Sequence, residues 1–276
     1  MIKDVVYTIK SHKRVDRFRQ KTYEKVILNY GFDLSKVYVF VSLDEDVELY
    51  TKAYPEINIV KAPLGVAGVD NFITDYFPEK QKIIYMNDDV TQICEVSPDN
   101  KFIPVAKDKL HTLCDNMFSV METNDITYAG FYPVVNTMFM TNGNEVKTSL
   151  CLIMDPFSLV IDNQKVRVTI SDKSDFEKSI LHYQDKGALL RYNRVAFKAE
   201  YYGKVGGFQG RNQQTELNTA NELMKKYPFY VAGVNVKKEG KTSLKLKSLP
   251  ATKNVDVTIL LTEEQKADNS TQISLF

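Results

Sequence analysis

The chain has 276 residues, 43% hydrophobic and 26% charged, with 36 basic side chains against 35 acidic ones and a net charge of +1. That balance excludes disorder of the whole chain and fits one large or two small globular domains. The longest apolar runs, residues 37–41 and 83–86, fall far short of the ~20 residues a membrane-crossing helix needs. No charged-then-apolar leader opens the sequence, so a soluble, cytoplasmic protein without a membrane partner is expected. Cys94, Cys114 and Cys151 are widely separated and suggest neither a disulfide framework nor a zinc site.

Over residues 1–90, short β-branched runs alternate with helix-period segments, the pattern of βαβ units that build a parallel sheet. A strand is predicted at 5–9. A helix follows at 14–30, with Val15, Phe18, Val26, Ile27 and Tyr30 on one stripe and Gly31 as its C-cap. Strands are expected at 37–42, 57–60 and 82–86, with helices at 45–54 and at 68–77, the latter stopped by Pro78. In open parallel sheets ligands sit beyond the carboxyl ends of the strands, which singles out residues 10–14, 63–68 and 87–89. Past residue 90 a helix is predicted at 107–124, with Leu110, Leu113, Cys114, Met117 and Met121 on one face. Strand-like runs then follow at 128–140, 150–154, 158–161 and 166–170, an antiparallel or mixed second half on the edge of the first. Helices are expected at 175–185, ending at Gly187, and at 215–226, ending before Pro228. His12, His111 and His182 lack ligand spacing and are assigned to no metal.

Asp88 and Asp89 directly follow the strand at 82–86 and Asn87. Two adjacent carboxylates repel unless a cation neutralises them, and oxygen-only ligands suit Mg²⁺ or Mn²⁺ shared with substrate phosphates. A plain Asn-Asp-Asp turn accounts for the same three residues. Position tips the balance toward a metal, because no Gly-rich phosphate loop is present elsewhere in this α/β half.

Ser11, Arg14, Arg17 and Phe18 after the first strand, residues 38–41, Tyr54-Pro55-Glu56 and residues 83–90 resemble the metal-dependent glycosyltransferases of the GT-A fold. The closest resemblance is to the phage group that modifies DNA and is associated with TET-type hydroxylases. It continues through residues 131–136, Asp175-Phe176-Glu177, residues 187–191 and Gly206-Gly207-Phe208, covering most of residues 4–235. It implies an α/β fold with a mostly parallel central sheet and a mixed second half, a nucleotide-diphosphate sugar donor, Mn²⁺ or Mg²⁺, and a hydroxymethylated pyrimidine in DNA as acceptor. Residues 1–90 would bind the nucleotide and 91–262 the acceptor, within one catalytic domain. Two departures from the family pattern stand out: Asn87 replaces the usual Asp, and Asp70 precedes Asn71 where an Arg usually stands.

By that resemblance Asp89, with Asp88, holds the metal, and Asn71, Asn87 and Asp88 bind a uridine-diphosphate type donor. Lys10, Ser11 and Arg14 join them, because cationic and hydroxyl groups at a strand end that opens a helix favour anions. A basic first turn of a helix without an anion is unfavourable by itself. Asp175 is implied as the general base of an inverting transfer, with Glu177 as alternate; either could equally cap the helix that begins there. Tyr132, Asn136, Arg191, Gly206 and Gly207 are the expected sugar or acceptor pocket, although the glycine pair reads as well as a turn.

Lys237, Lys238, Lys241, Lys245 and Lys247 stand against one glutamate, Glu239. They fit either DNA phosphate contacts or a lysine-protected edge hairpin. Residues 263–276 read as a flexible polar tail whose last five residues, Gln272 to Phe276, resemble the peptide that docks replication proteins on a bacterial-type sliding clamp. Gln272 would anchor it while Leu275 and Phe276 fill an apolar pocket; packing of the tail on its own domain is the alternative. The function expected is sugar transfer to DNA. Its rivals are a glycosyltransferase acting on protein or surface glycan, and a non-catalytic DNA or clamp accessory protein.

Overall fold

The structure, a computed structural model, describes residues 4–141, 143–200, 212–236 and 242–261. The first half follows the expected alternation: Val5–Lys10 (β1), a helix over Val15–Phe18 (α1) that continues in wide π-type turns over Arg19–Leu28, Val37–Val41 (β2), Asp44–Ala53 (α2), Asn58–Lys61 (β3), Val66–Tyr76 (α3) and Lys82–Asn87 (β4). The second half adds Val90–Val96 (β5), Phe102–Pro104 (β6), Lys107–Thr123 (α4), Tyr128–Tyr132 (β7), Thr137–Thr141 (α5), Val146–Lys147 (β8), Phe157–Ile161 (β9), Ser174–Lys186 (α6) and Leu190–Ala199 (β10). Gln213–Lys226 (α7) and the strands Val231–Val236 (β11) and Thr242–Leu246 (β12) follow.

Among the described residues the central sheet has ten strands in the order β3-β2-β1-β4-β9-β7-β10-β5-β6, with β8 beside β10. β1 pairs in parallel with β2 and β4, β2 with β3, and β7 with β10. β9 is antiparallel to both its neighbours, β4 and β7, so the mixed half continues the parallel half as one sheet. The fold is α/β with a large mixed sheet, as expected. Ile83, Ile84, Tyr85 and Met86 of β4 are all buried because both faces of the sheet are covered. Residues of α1 and α4, among them Phe18, Ile27, Leu110 and Met117, pack on one face. Val69 and Ile73 of α3 and Tyr183 of α6 pack on the other.

Three readings of the second half are corrected. The run at 128–140 is strand only to Tyr132 and then turns into α5. Residues 150–154 form no strand: Leu150 N–H bonds the Leu249 carbonyl and Ile153 N–H bonds Ser179 Oγ, so a loop and a side chain replace a ladder. Residues 166–170 likewise stay out of the sheet, because Asn71 and Glu177 satisfy their backbone groups. Gly187 ends α6 with φ +72°, and a Cβ there would lie 1.9 Å from Thr252 Oγ1, so both conformation and space call for glycine. β11 and β12 form a hairpin whose Val231 and Leu244 pack with Ile180 and Leu223.

Candidate active site

The parallel strands β1, β2, β3, β4, β7 and β10 end at one edge of the sheet, and the antiparallel β5 and β9 begin there. Two clusters of charge form along that edge. The first lies in the tight turn between β4 and β5. Ser11, one residue past β1, donates to Asp88 Oδ2 at 2.5 Å and lies 2.6 Å from the Tyr50 hydroxyl. Arg14 Nη1 reaches Asp88 Oδ1 at 3.1 Å and Asp89 Oδ2 at 3.9 Å, and Arg17 Nη2 is also 3.9 Å from Asp89 Oδ2. Asp88 and Asp89 are 3% and 7% exposed, which strands two negative charges in a poorly solvated place. Burial, then repulsion from Asp88, pushes the Asp89 carboxyl up to about 7 despite the two arginines.

A buried Asp89 Oδ1 with no hydrogen-bond partner is the feature a divalent cation would complete. Both oxygens of Asp88 already have partners, so Asp89 is the better ligand of the two. Among the described residues no group of three or more His, Cys, Asp or Glu side chains gathers around a metal position. A hard cation held by one or two carboxylates, with water and substrate phosphates as its other ligands, fits that donor set. The Asn87 carbonyl accepts a 2.6 Å bond from Thr22 Oγ1, which anchors the helix behind the turn.

The second cluster starts one residue earlier. Lys10 Nζ lies 2.6 Å from Asp70 Oδ1 and 2.7 Å from Asp155 Oδ2, and Lys178 Nζ lies 2.6 Å from the same Asp155 oxygen and 3.1 Å from Asp70 Oδ2. Tyr128 donates to Asp155 Oδ1 at 3.1 Å. Burial alone would raise the Asp155 carboxyl, but the two ammonium groups hold it far below the usual carboxylate range. The Asp155 N–H donates to Asp175 Oδ1 at 3.2 Å, at the start of α6. Asp175 is half-buried, and burial followed by repulsion from Asp155 pushes its carboxyl up to about 7.

The other expected site residues fall into place as follows. Glu177 is fully buried and accepts from Thr169 N, Thr169 Oγ1, Ile170 N, Lys226 Nζ and Tyr227 OH. Asn71 bonds both backbone groups of Val168, at 2.8 and 2.9 Å. Both residues therefore hold the 166–170 segment, and Asn71 also lines a cavity beside Asp70 and Lys178 of the second cluster. Arg191 lies 4.8 Å over the Tyr132 ring, and donates to Asn193 Oδ1 and to the Leu152 carbonyl. Asn136 Oδ1 accepts from Phe139 N at the start of α5. Lys245 is exposed and Lys247 half-buried on the hairpin. Gly206, Gly207, Lys237, Lys238, Lys241, Gln272, Leu275 and Phe276 lie outside the described residues.

Sequence reasoning missed Asp155 and Lys178 as site residues and saw Asp70 only as a departure from a pattern. A signal existed: Lys178 lies one helical turn from both Ser174 and His182, on a stripe that is buried throughout. Asp155 stands between an apolar run and β9 at the favoured edge.

No protein-family model and no curated protein matches the sequence. Among solved structures the chain is similar to S. aureus TarS in complex with UDP-GlcNAc, at 9% identity and TM-score 0.49, over 80% of this chain and 66% of that one. It is also similar to the mannosyltransferase PcManGT from Pyrobaculum calidifontis in complex with GDP-Man and Mn²⁺, at 10% identity and TM-score 0.47, over 82% and 63%. A third is GalNAc-T7 with UDP, GalNAc and Mn²⁺, at 10% identity and TM-score 0.46, over 79% and 47%. The chain thus spans less than two thirds of the length of each of these three, and at such identities the likeness concerns fold alone.

Proposed function

We propose that the protein is a glycosyltransferase that moves a sugar from a nucleotide-diphosphate donor to an acceptor hydroxyl, with Asp175 as general base. The observation that carries this reading is the tie between the two clusters: the consecutive residues Lys10 and Ser11 hold Asp155, whose N–H bonds Asp175, and Asp88, the neighbour of Asp89. A carboxyl able to change its protonation state and an aspartate with an unpartnered oxygen thus share one sheet edge. In the transfer, Asp175 takes the acceptor proton as the acceptor oxygen bonds the anomeric carbon. The bond from that carbon to the donor diphosphate breaks, and its electron pair leaves with the nucleoside diphosphate. Asp89, beside Asp88, would hold Mn²⁺ or Mg²⁺, whose charge neutralises the diphosphate. Arg14 and Arg17 add positive charge to the same place.

A hydroxymethylated pyrimidine in DNA is the acceptor we favour, on the sequence resemblance and the exposed Lys245 of the hairpin. The terminal residues Gln272, Leu275 and Phe276 belong to this reading as a tether to a sliding clamp. The test is incubation of the full chain with a panel of nucleotide sugars, Mn²⁺ and hydroxymethylated DNA, followed by mass spectrometry of the nucleosides. A sugar-sized mass gain that depends on Asp89 and Asp175 is the expected result. Transfer to protein or glycan but never to DNA would overturn the acceptor, and no metal-dependent binding of any nucleotide sugar would overturn the enzyme.

A further inference from the structure

Lys10 from β1, Asp70 from α3, Asp155 ahead of β9 and Lys178 from α6 close a ring of four charges, each ammonium within 3.1 Å of both carboxylates. Two ammonium groups and two carboxylates sum to zero. Asp175, bonded to the Asp155 N–H, adds a third carboxylate for which the ring holds no third cation. Among the described residues, the other titratable groups packed on the ring supply no cation to offset it: Asp162 shares a cavity with Asp70, Tyr85, Lys178 and His182, and burial pushes its carboxyl up to about 7. Tyr128 of β7 donates to Asp155 as a neutral phenol. The Tyr85 ring of β4 lies beneath Lys178 Nζ, 4.8 Å from its centroid. His182, one turn along α6, is kept neutral by burial, which drives it down to about 3.

The geometry points to this neutral ring as the positioning device for Asp175: Lys10, Asp70, Asp155 and Lys178 hold it as the uncompensated fifth charge, so that it both takes the acceptor proton and gives it up. The inference rests on the reading of Asp175 as the base, but it makes a separate demand. A ring too well screened from Asp175 to set its charge would lose stability at every break and leave the proton affinity of Asp175 alone. A ring that sets the charge around Asp175 must respond with opposite signs to breaks of opposite charge. Asp70→Asn leaves it with one surplus positive charge, which favours ionised Asp175. Lys10→Gln leaves one surplus negative charge, which favours protonated Asp175.

The measurement is a pH titration by NMR of the full chain labelled with carbon-13 at the aspartate carboxyl carbons, with the Asp175 signal identified by its loss in Asp175→Asn. The wild-type midpoint should lie at about 7. It should fall by roughly one pH unit in Asp70→Asn and rise by roughly one in Lys10→Gln, and Lys10→Arg should restore it. Midpoints that stay put, or that move the same way in both variants, overturn the ring. Should Asp70→Asn fail to fold, Lys10→Gln and Lys10→Arg decide alone, because Lys10 keeps 15% side-chain exposure and sits at a strand end. Where transfer is measured, the acidic limb of the kcat/KM profile should move with the midpoint. Opposite midpoint shifts without sugar transfer from any donor keep the ring and remove the base reading; transfer with unmoved midpoints does the reverse.

Discussion

The two sides of the first turn of α6 carry carboxylates two residues apart that are treated in opposite ways. On the side facing the 166–170 segment and α7, Glu177 receives five donors from Thr169, Ile170, Lys226 and Tyr227. Burial would raise its carboxyl, but the bonds from Lys226, Thr169 and Tyr227 bring it below the ordinary value. On the side facing the sheet edge, Asp175 accepts the Asp155 N–H beside a ring whose cations are already matched, and its carboxyl rises to about 7. The same residue class, on the same turn, is fixed in its charged form on one side and left able to change form on the other. A saturated carboxylate can anchor a loop; a general base needs the second arrangement.

The sharpest way to break this contrast is kinetic. Asp175→Asn keeps the acceptor for the Asp155 N–H but takes no proton, so turnover should drop on the order of 10²–10⁴ fold with donor affinity little changed. Glu177→Gln should leave turnover per folded molecule nearly intact. Steady-state rates corrected for folded fraction decide it; a dead Glu177→Gln beside an active Asp175→Asn would exchange the two roles.

Stability should divide the pair in the other direction. Glu177→Ala removes the acceptor of five bonds and leaves Lys226, Tyr227 and two backbone N–H groups without it, a loss of about 3–5 kcal/mol by denaturant unfolding. Asp175→Asn should cost little at pH 5. Above that the sign favours the variant. Between its ordinary 3.8 and about 7, native Asp175 holds a proton that the unfolded chain has released, so wild-type stability falls as pH rises through that window. Asp175→Asn lacks this slope and should gain roughly 1–3 kcal/mol on wild type between pH 5 and 8. For Glu177 the linkage runs the other way: its contribution is present above its ordinary 4.5 and fades as pH falls through its lowered value. Parallel pH–stability curves for wild type and Asp175→Asn would show that Asp175 is ionised throughout.

The parallel half of the fold was legible because buried strands of β-branched residues and helical stripes are local patterns, and β1 to β4 fall within a residue or two of their expected bounds. The carboxylate pair was legible for the same reason, since a strand end is a local event. The segments at 150–154 and 166–170 were misread because they look like strands but bond to side chains far away in sequence, Ser179, Asn71 and Glu177. The ring escaped notice because Lys10 and Asp155 are 145 positions apart, and only the β1-β4-β9 order brings them together. Asp70 is instructive: as a missing arginine it looked like a loss, yet it is half of the negative charge that Lys10 and Lys178 require.

The smallest effect concerns how far the anchoring side of the turn extends. Asn71 and Glu177 grip adjacent backbone groups, Asn71 at Val168 and Glu177 at Thr169 and Ile170. Asn71→Ala should cost about 1–2 kcal/mol, the loss of two bonds to a half-buried segment. If both residues serve one segment, the double variant with Glu177→Gln should cost less than the sum of the singles by at least about 0.5 kcal/mol, because a segment released at one point gains little from being held at the next. Unfolding of the four proteins of that cycle tests the coupling, and calorimetry with a nucleotide diphosphate tests the site. Unchanged nucleotide affinity in Asn71→Ala is expected from an anchor that faces Val168. A tenfold loss of affinity with additive stabilities would instead make Asn71 a donor contact and confine the anchoring role to Glu177.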